Sequence, residues 1–197
     1  MSDSLPQVGL TDGHTLKDWT QEILAAQAAR IDGFALNVGP SDPYTMTQLR
    51  QAYAAATAIW DDQGADFDLF LSFDMAAGEW GIDQVISLIN AFKDSAVYCK
   101  VEGSPLVSTF EGPHWAENWK QVREATGGIY LVPDWSSLGP HGVGERRDLI
   151  DGACELSSFE HLRLWRPCPQ GRGIDRGKEE AGFDGLNSFM VCLATSK

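Results

Sequence analysis

Leu106-Val107-Ser108-Thr109-Phe110-Glu111-Gly112-Pro113 is a run of strand-forming residues that stops at a carboxylate and then at a Gly-Pro turn. A Glu placed where a buried strand ends can point out of the end of the sheet into a crevice, while the strand behind it fixes its position. The pattern recurs on both sides. Upstream, Leu69-Phe70-Leu71-Ser72-Phe73 runs into Asp74, and downstream Ile129-Tyr130-Leu131-Val132-Pro133 runs into Asp134-Trp135. Three apolar strands, each ending in an acid at the same relative place, are expected of a parallel sheet that presents carboxylates on one rim.

Between these strands the apolar spacing turns helical. Ile82, Val85, Ile86 and Ile89, continued by Phe92, mark one amphipathic helix. Trp115, Trp119 and Val122 mark another, with Glu117, Lys120 and Glu124 on its polar side and Gly127-Gly128 as its stop. Further upstream, Gly33-Phe34-Ala35-Leu36-Asn37-Val38 reads as a buried strand closed by Gly39-Pro40. Thr45 and Gln48 have the spacing of a capping box for a helix carrying Leu49, Ala52, Tyr53, Ala56 and Ile59. A first helix begins near Thr15, which can cap it, with Leu16, Trp19, Ile23 and Ala26 facing inward. His14, just before it, reads as a turn histidine. Gln7-Val8-Gly9-Leu10 is a candidate short strand, and Tyr98-Cys99-Lys100-Val101 another that turns tightly into Leu106.

The alternation of strands and helices predicts an α/β fold with parallel strands joined by right-handed crossovers. No strand-to-helix turn carries G-x-G-x-x-G or a Walker loop, so dinucleotide and nucleoside triphosphate binding lose their main support. The better expectation is a partial or complete (β/α)8 TIM-type barrel with its site at the C-terminal ends of the strands.

A chain of 197 residues can bury one good core. Its net charge of -13 argues against nucleic acid and against anionic membranes as partners. The acidity is uneven, since residues 145–197 hold 8 Lys or Arg against 9 Asp or Glu and the preceding residues 7 against 19. Cys154, Cys168 and Cys192 fall in the later part and Cys99 in the earlier, a spacing that matches no zinc pattern and no small disulfide framework. Met1-Ser2-Asp3-Ser4-Leu5-Pro6 has no basic n-region, so no secretory signal is read there, and no run is long enough to span a bilayer.

Asp74, Glu111 and Asp134, with Trp80, Trp135 and Asn37 in adjoining positions, would make an acidic, aromatic rim with few cations. Indole faces stack on sugar rings, and paired carboxylates perform the acid and base steps of glycoside hydrolysis. Each residue also has a plainer reading: a Trp after a strand is more often core, and an acid at a strand end is often a cap or a solvated charge. Asn37 is either an amide facing a ligand or a buried structural hydrogen bond. There is no G-x-S-x-G and no His beside a serine nucleophile.

Four motifs in order carry a resemblance: Ile31-Asp32-Gly33-Phe34-Ala35-Leu36-Asn37-Val38-Gly39, Leu71-Ser72-Phe73-Asp74, Val107-Ser108-Thr109-Phe110-Glu111-Gly112, and Val132-Pro133-Asp134-Trp135-Ser136-Ser137-Leu138-Gly139. From about Val8 to about Ala153 the sequence resembles the N-terminal half of glycoside hydrolase family 71, the fungal α-1,3-glucanases or mutanases. The resemblance implies a (β/α)8 barrel that hydrolyses α-1,3-glucan of fungal cell walls outside the cell by an inverting route, with Asp74, Glu111 and Asp134 as candidate catalytic acids. It implies no cofactor and no metal.

The family also carries a W-N-D-[YF]-G-E-S segment whose acids are read as its catalytic pair, and that segment does not occur in this sequence. After Ala153 come Cys154-Glu155-Leu156-Ser157 and then Arg163, Arg166, Arg172 and Arg176 among prolines and glycines. Residues 1–153 therefore read as the N-terminal part of a barrel domain. Residues 154–197 read as a divergent, irregular tail, from a shifted reading frame or a mis-spliced end. Half a barrel leaves an open sheet edge, so low stability or self-association is expected. Two functions remain: an α-1,3-glucan hydrolase, or a non-catalytic α-glucan-binding fragment or pseudoenzyme. A small α/β domain of unrelated use is a third.

Overall fold

The computed structural model describes residues 11–154 and 189–194. The candidate strand at residues 7–10 lies outside the described residues, as does most of the tail. Helix α1 (Leu16–Ala28) starts at Thr15, whose hydroxyl accepts from the Asp18 amide while the Asp18 carboxylate accepts from the Thr15 amide and hydroxyl. Those hydrogen bonds hold the Asp18 carboxyl below the usual carboxylate range. Strand β1 (Ile31–Val38), helix α2 (Thr45–Gln63), strand β2 (Asp68–Asp74) and helix α3 (Ile82–Phe92) follow. Then come the short β3 (Lys100–Val101), β4 (Ser104–Phe110), α4 (Asn118–Thr126), β5 (Tyr130–Asp134), the six-residue α5 (Gly139–Gly144) and β6 (Phe189–Ala194).

The expected capping box of α2 does not form. The helix is preceded by Tyr44, with no side-chain cap, and Thr45 is already helical. Gln48 is used elsewhere: its Oε1 accepts from Trp19 Nε1 at 2.9 Å and its Nε2 donates to the His14 carbonyl at 3.3 Å. A buried indole N–H needs an acceptor, and supplying one joins α1 to α2. His14 in turn pairs through Nε2 with Glu22 on α1, at 2.8 Å.

Parallel pairing links β1 to β2, β2 to β4 and β4 to β5, while β6 pairs in parallel with the other edge of β1. The parallel strands thus run β6-β1-β2-β4-β5, and β3 makes an antiparallel hairpin with the start of β4. Within the stretch read from sequence as an irregular tail, residues 189–194 are therefore a strand. Among the described residues β5 does not pair with β6, so the strands described do not close into a barrel by themselves.

Because β1, β2, β4 and β5 are added in chain order on one side, right-handed crossovers put α2, α3 and α4 on a single face. That face is apolar apart from Thr109, whose buried hydroxyl donates to the Glu111 carbonyl. Leu36, Val38, Leu71, Phe73, Val107 and Leu131 point to it and are fully buried. Phe73 meets Trp80 edge-on at 5.0 Å and Trp119 of α4 at 6.0 Å. Tyr53 of α2 stacks on Phe92 of α3 with centroids 4.6 Å apart. Tyr98 closes the lower end between β2 and β4, its hydroxyl donating to the Leu106 carbonyl at 2.9 Å, and burial pushes its phenol well up.

Close strand approach has a sequence cost at Gly33, where a Cβ would stand 2.3 Å from the Asp68 carbonyl oxygen of the neighbouring strand. Gly33→Ala is expected to lower unfolding stability by about 2–3 kcal/mol in urea titration, since backbone must move. Gly64 has φ +62 and nothing within 4 Å, so Gly64→Ala should cost only about 1 kcal/mol. Equal losses at the two positions would contradict this packing of β1 on β2.

Candidate functional site

The other face of the sheet is built differently. Side chains alternate along a strand, and residues in register across parallel strands share a face. Asn37, Ser72, Ser108 and Val132 form one such row, and Asp74, Phe110 and Asp134 the row above it at the C-terminal ends of the strands. In contrast to the helix side, this face is mostly polar over these two levels, with Val132 and Phe110 the apolar members. The three acid-ended segments predicted from sequence therefore finish side by side at one rim, with Glu111 one residue beyond Phe110.

Asp74 is half-buried. Its Oδ1 accepts from the Ala76 and Ala77 amides, both at 3.0 Å, which shapes the loop after β2. Its Oδ2 accepts from Asn37 Nδ2 at 3.5 Å, and Asn37 Oδ1 accepts from the Ser72 hydroxyl at 3.3 Å. The Asn37 amide is 8% exposed, so it is a buried link in a chain of polar groups leading to the rim carboxylate.

Glu111 sits in a left-handed conformation, φ 55°, followed by Gly112 at φ 90°. A non-glycine residue held there costs about 1–2 kcal/mol, and several hydrogen bonds hold it. Its amide donates to the Asp134 carbonyl at 2.7 Å, and its own carbonyl accepts from the Thr109 hydroxyl at 2.8 Å. Its carboxylate accepts from the Ser136 hydroxyl at 3.2 Å, the Ser137 amide at 3.0 Å and the Ser137 hydroxyl. Glu111 thus clamps the loop after β5 to the end of β4. Gly112 completes the turn, because a Cβ there would lie 2.4 Å from Met75 Cβ.

Asp134 is fully buried, and its Oδ1 accepts from the Ser136 amide at 3.1 Å. Beside it Cys154 forms a parallel bridge, with its amide donating to the Pro133 carbonyl at 3.1 Å. Burial raises the Cys154 thiol to about 11, and the neighbouring Asp134 charge adds to the rise.

The two tryptophans lie beneath the rim. Trp80 is 6% exposed, donates from Nε1 to the Asp74 carbonyl at 2.9 Å and accepts on its own carbonyl from Trp115 Nε1 at 3.2 Å. Trp135 is 1% exposed and packs with Ala116 and Leu149. Their ring faces are taken up by packing in this structure. Phe110, read from sequence as an ordinary strand residue, is 38% exposed at the centre of the rim row. Its signal was the alternation: it lies two residues beyond Ser108, as Asp74 lies beyond Ser72.

Among the described residues no group of three or more His, Cys, Asp or Glu is placed to hold a metal ion. No helix among them is long and apolar enough to cross a membrane. What the rim offers is carboxylates, hydroxyls and one open aromatic ring.

The family model of glycosyl hydrolase family 71 matches residues 7–163, and the chain belongs to that family. The likeness continues past Ala153, where the sequence reading ended it. The chain is 30% identical over 195 residues to a Schizosaccharomyces pombe protein named glucan endo-1,3-alpha-glucosidase agn1, covering 93% of this chain and 42% of that relative. It is 33% identical over 148 residues to a Penicillium rubens mutanase, covering 74% of this chain and 31% of the relative. An ascus wall endo-1,3-alpha-glucanase of Schizosaccharomyces pombe is 24% identical over 167 residues, 78% of this chain and 37% of the relative. The chain spans less than half the length of these curated relatives.

A thiol titrating at about 11 is ionised in only about one molecule in a thousand at pH 8, against roughly a quarter for an ordinary cysteine. Cys154 should therefore react with iodoacetamide at pH 8 about a hundredfold more slowly in the native protein than in guanidinium, as read by peptide mass mapping. Equal rates would show that the Cys154 thiol is not buried against the end of β5.

Proposed function

We propose that this chain supplies the sugar-binding, acid-bearing rim of an α-1,3-glucan hydrolase, and that its sheet is an arc of a (β/α)8 barrel. The observation that carries the reading is the row Asp74, Phe110, Asp134 with Glu111 beside it, at the strand ends where barrel enzymes hold their sites. Strands added in chain order on one side, with crossovers on the other face, are the winding of a barrel rather than of a doubly wound sheet. The names of the relatives, glucan endo-1,3-alpha-glucosidase and mutanase, point to the same substrate.

Hydrolysis of a glycosidic bond takes one carboxylic acid that protonates the departing oxygen and one carboxylate that activates water or attacks carbon. An inverting pair stands about 6.5–9.5 Å apart, leaving room for the water. Asp74 and Asp134 lie two strands apart, about 10 Å between their backbones, and Glu111 projects from the strand between them. Asn37 supports Asp74 from the row below, while Trp80 packs on Phe73 and Trp135 on Ala116 and Leu149, away from the groove, so that they brace the strand ends without lining it.

A second reading is favoured by a specific observation. Both Glu111 oxygens accept hydrogen bonds from the Ser136-Ser137 loop and Asp134 is buried, an arrangement suited to shaping a groove without turnover. Incubation of the purified protein with insoluble α-1,3-glucan separates the two. The hydrolase reading expects soluble sugar, reduced at least about a hundredfold by Asp74→Asn, Glu111→Gln or Asp134→Asn. Sedimentation with the glucan and no release means binding alone, and neither result contradicts both readings.

A further inference from the structure

We propose that the ring of Phe110 is the stacking platform of this groove and takes the apolar face of one glucosyl unit of an α-1,3-linked glucan. The inference rests on the α-1,3-glucan reading and assigns a residue within it. The sequence offers Trp80 and Trp135 as platforms, but both indoles are closed off by packing, at 6% and 1% exposure.

Phe110 is the opposite case. It shares a strand face with Leu106 and Ser108, which are buried, yet its own ring is open. The other large exposed hydrophobics among the described residues, Leu16 and Leu24, lie on helix α1, away from this row. The register fixes what surrounds the ring: Asp74 on one side, Asp134 on the other and Ser108 two residues below it.

A pyranose chair presents axial C–H bonds on its faces and hydroxyls around its edge. An aromatic face flanked by a half-exposed carboxylate matches both at once, with stacking below the sugar and Asp74 accepting from a hydroxyl at its rim. A hydrocarbon ligand would leave that carboxylate desolvated, and an anionic one would be repelled by it. The turn at Glu111 and Gly112 begins at the next residue and holds the end of β4 through the Asp134 and Phe110 backbones, so the ring's position is set before a ligand arrives.

The test uses the 197-residue chain and an α-1,3-linked glucotetraose, titrated by calorimetry, with an α-1,4-linked glucotetraose as the linkage control. Phe110→Ala should weaken binding of the α-1,3-linked sugar about tenfold, Phe110→Leu nearly as much, and Phe110→Trp should retain it. Circular dichroism spectra and melting points should match the unsubstituted protein, because the ring is on the rim and not in the core. Wild-type binding that Phe110→Ala leaves unchanged overturns this assignment and leaves the α-1,3-glucan reading standing. No wild-type binding of the α-1,3-linked sugar, or equal binding of the α-1,4-linked one, overturns that reading and the assignment with it. Equal loss in the Ala and Trp variants, with unchanged spectra, also overturns stacking.

Discussion

Parallel pairing in a fixed register, Asp74 beside Phe110 and Phe110 beside Asp134, is the constraint from which the rest of the molecule follows. A shift of one residue between any two of these strands would send a whole set of side chains to the opposite face. The register is held because one face is almost wholly apolar and covered: Leu71, Phe73, Val107 and Leu131 would leave the helices, and Ser72 and Ser108 would meet them. Burial of such side chains is worth about 1.5–3 kcal/mol each, so the several of them together outweigh any single rim hydrogen bond. The core decides the register, and the register decides which residues stand at the rim.

Above the core the rim is organised by local turns rather than by packing. Asp74 collects the amides of Ala76 and Ala77, Asp134 the amide of Ser136, and Glu111 the amide and hydroxyls of the Ser136-Ser137 segment. Each acid therefore shapes a loop, and Glu111 joins two of them. The strain at Glu111 is tolerated because a glycine follows and because its carboxylate, amide and carbonyl all find partners. Residues that stiffen a groove and residues that act on a ligand need not be different ones, since both need a fixed carboxylate.

Much of this was legible in the sequence. Apolar runs ending in an acid gave the strands and their common rim, and helical spacing from Ile82 to Phe92 gave α3 with the observed ends. The errors have physical causes. Gln48 has the spacing of a capping residue, but a buried Trp19 N–H competes for its side chain, and a distant partner is invisible in a local pattern. Trp80 and Trp135 follow strands, where a loop aromatic could be open or packed. Which occurs depends on Trp115, Ala116 and Leu149, residues brought there only by the fold. Phe110 was hidden for the converse reason: alternation puts it on the face of Ser108, but whether its ring is open depends on the strands registered beside it.

The proposed function requires one groove at the C-terminal ends of β1, β2, β4 and β5 to receive an α-1,3-linked glucan. Amide chemical shifts of the isotope-labelled protein, followed while α-1,3-linked glucotetraose is added, address it directly. The expected result is shifts confined to residues around Asn37, Asp74 to Ala77, Phe110 to Gly112 and Asp134 to Ser137. Shifts clustered on the helices of the covered face, or none at saturating sugar, would contradict it.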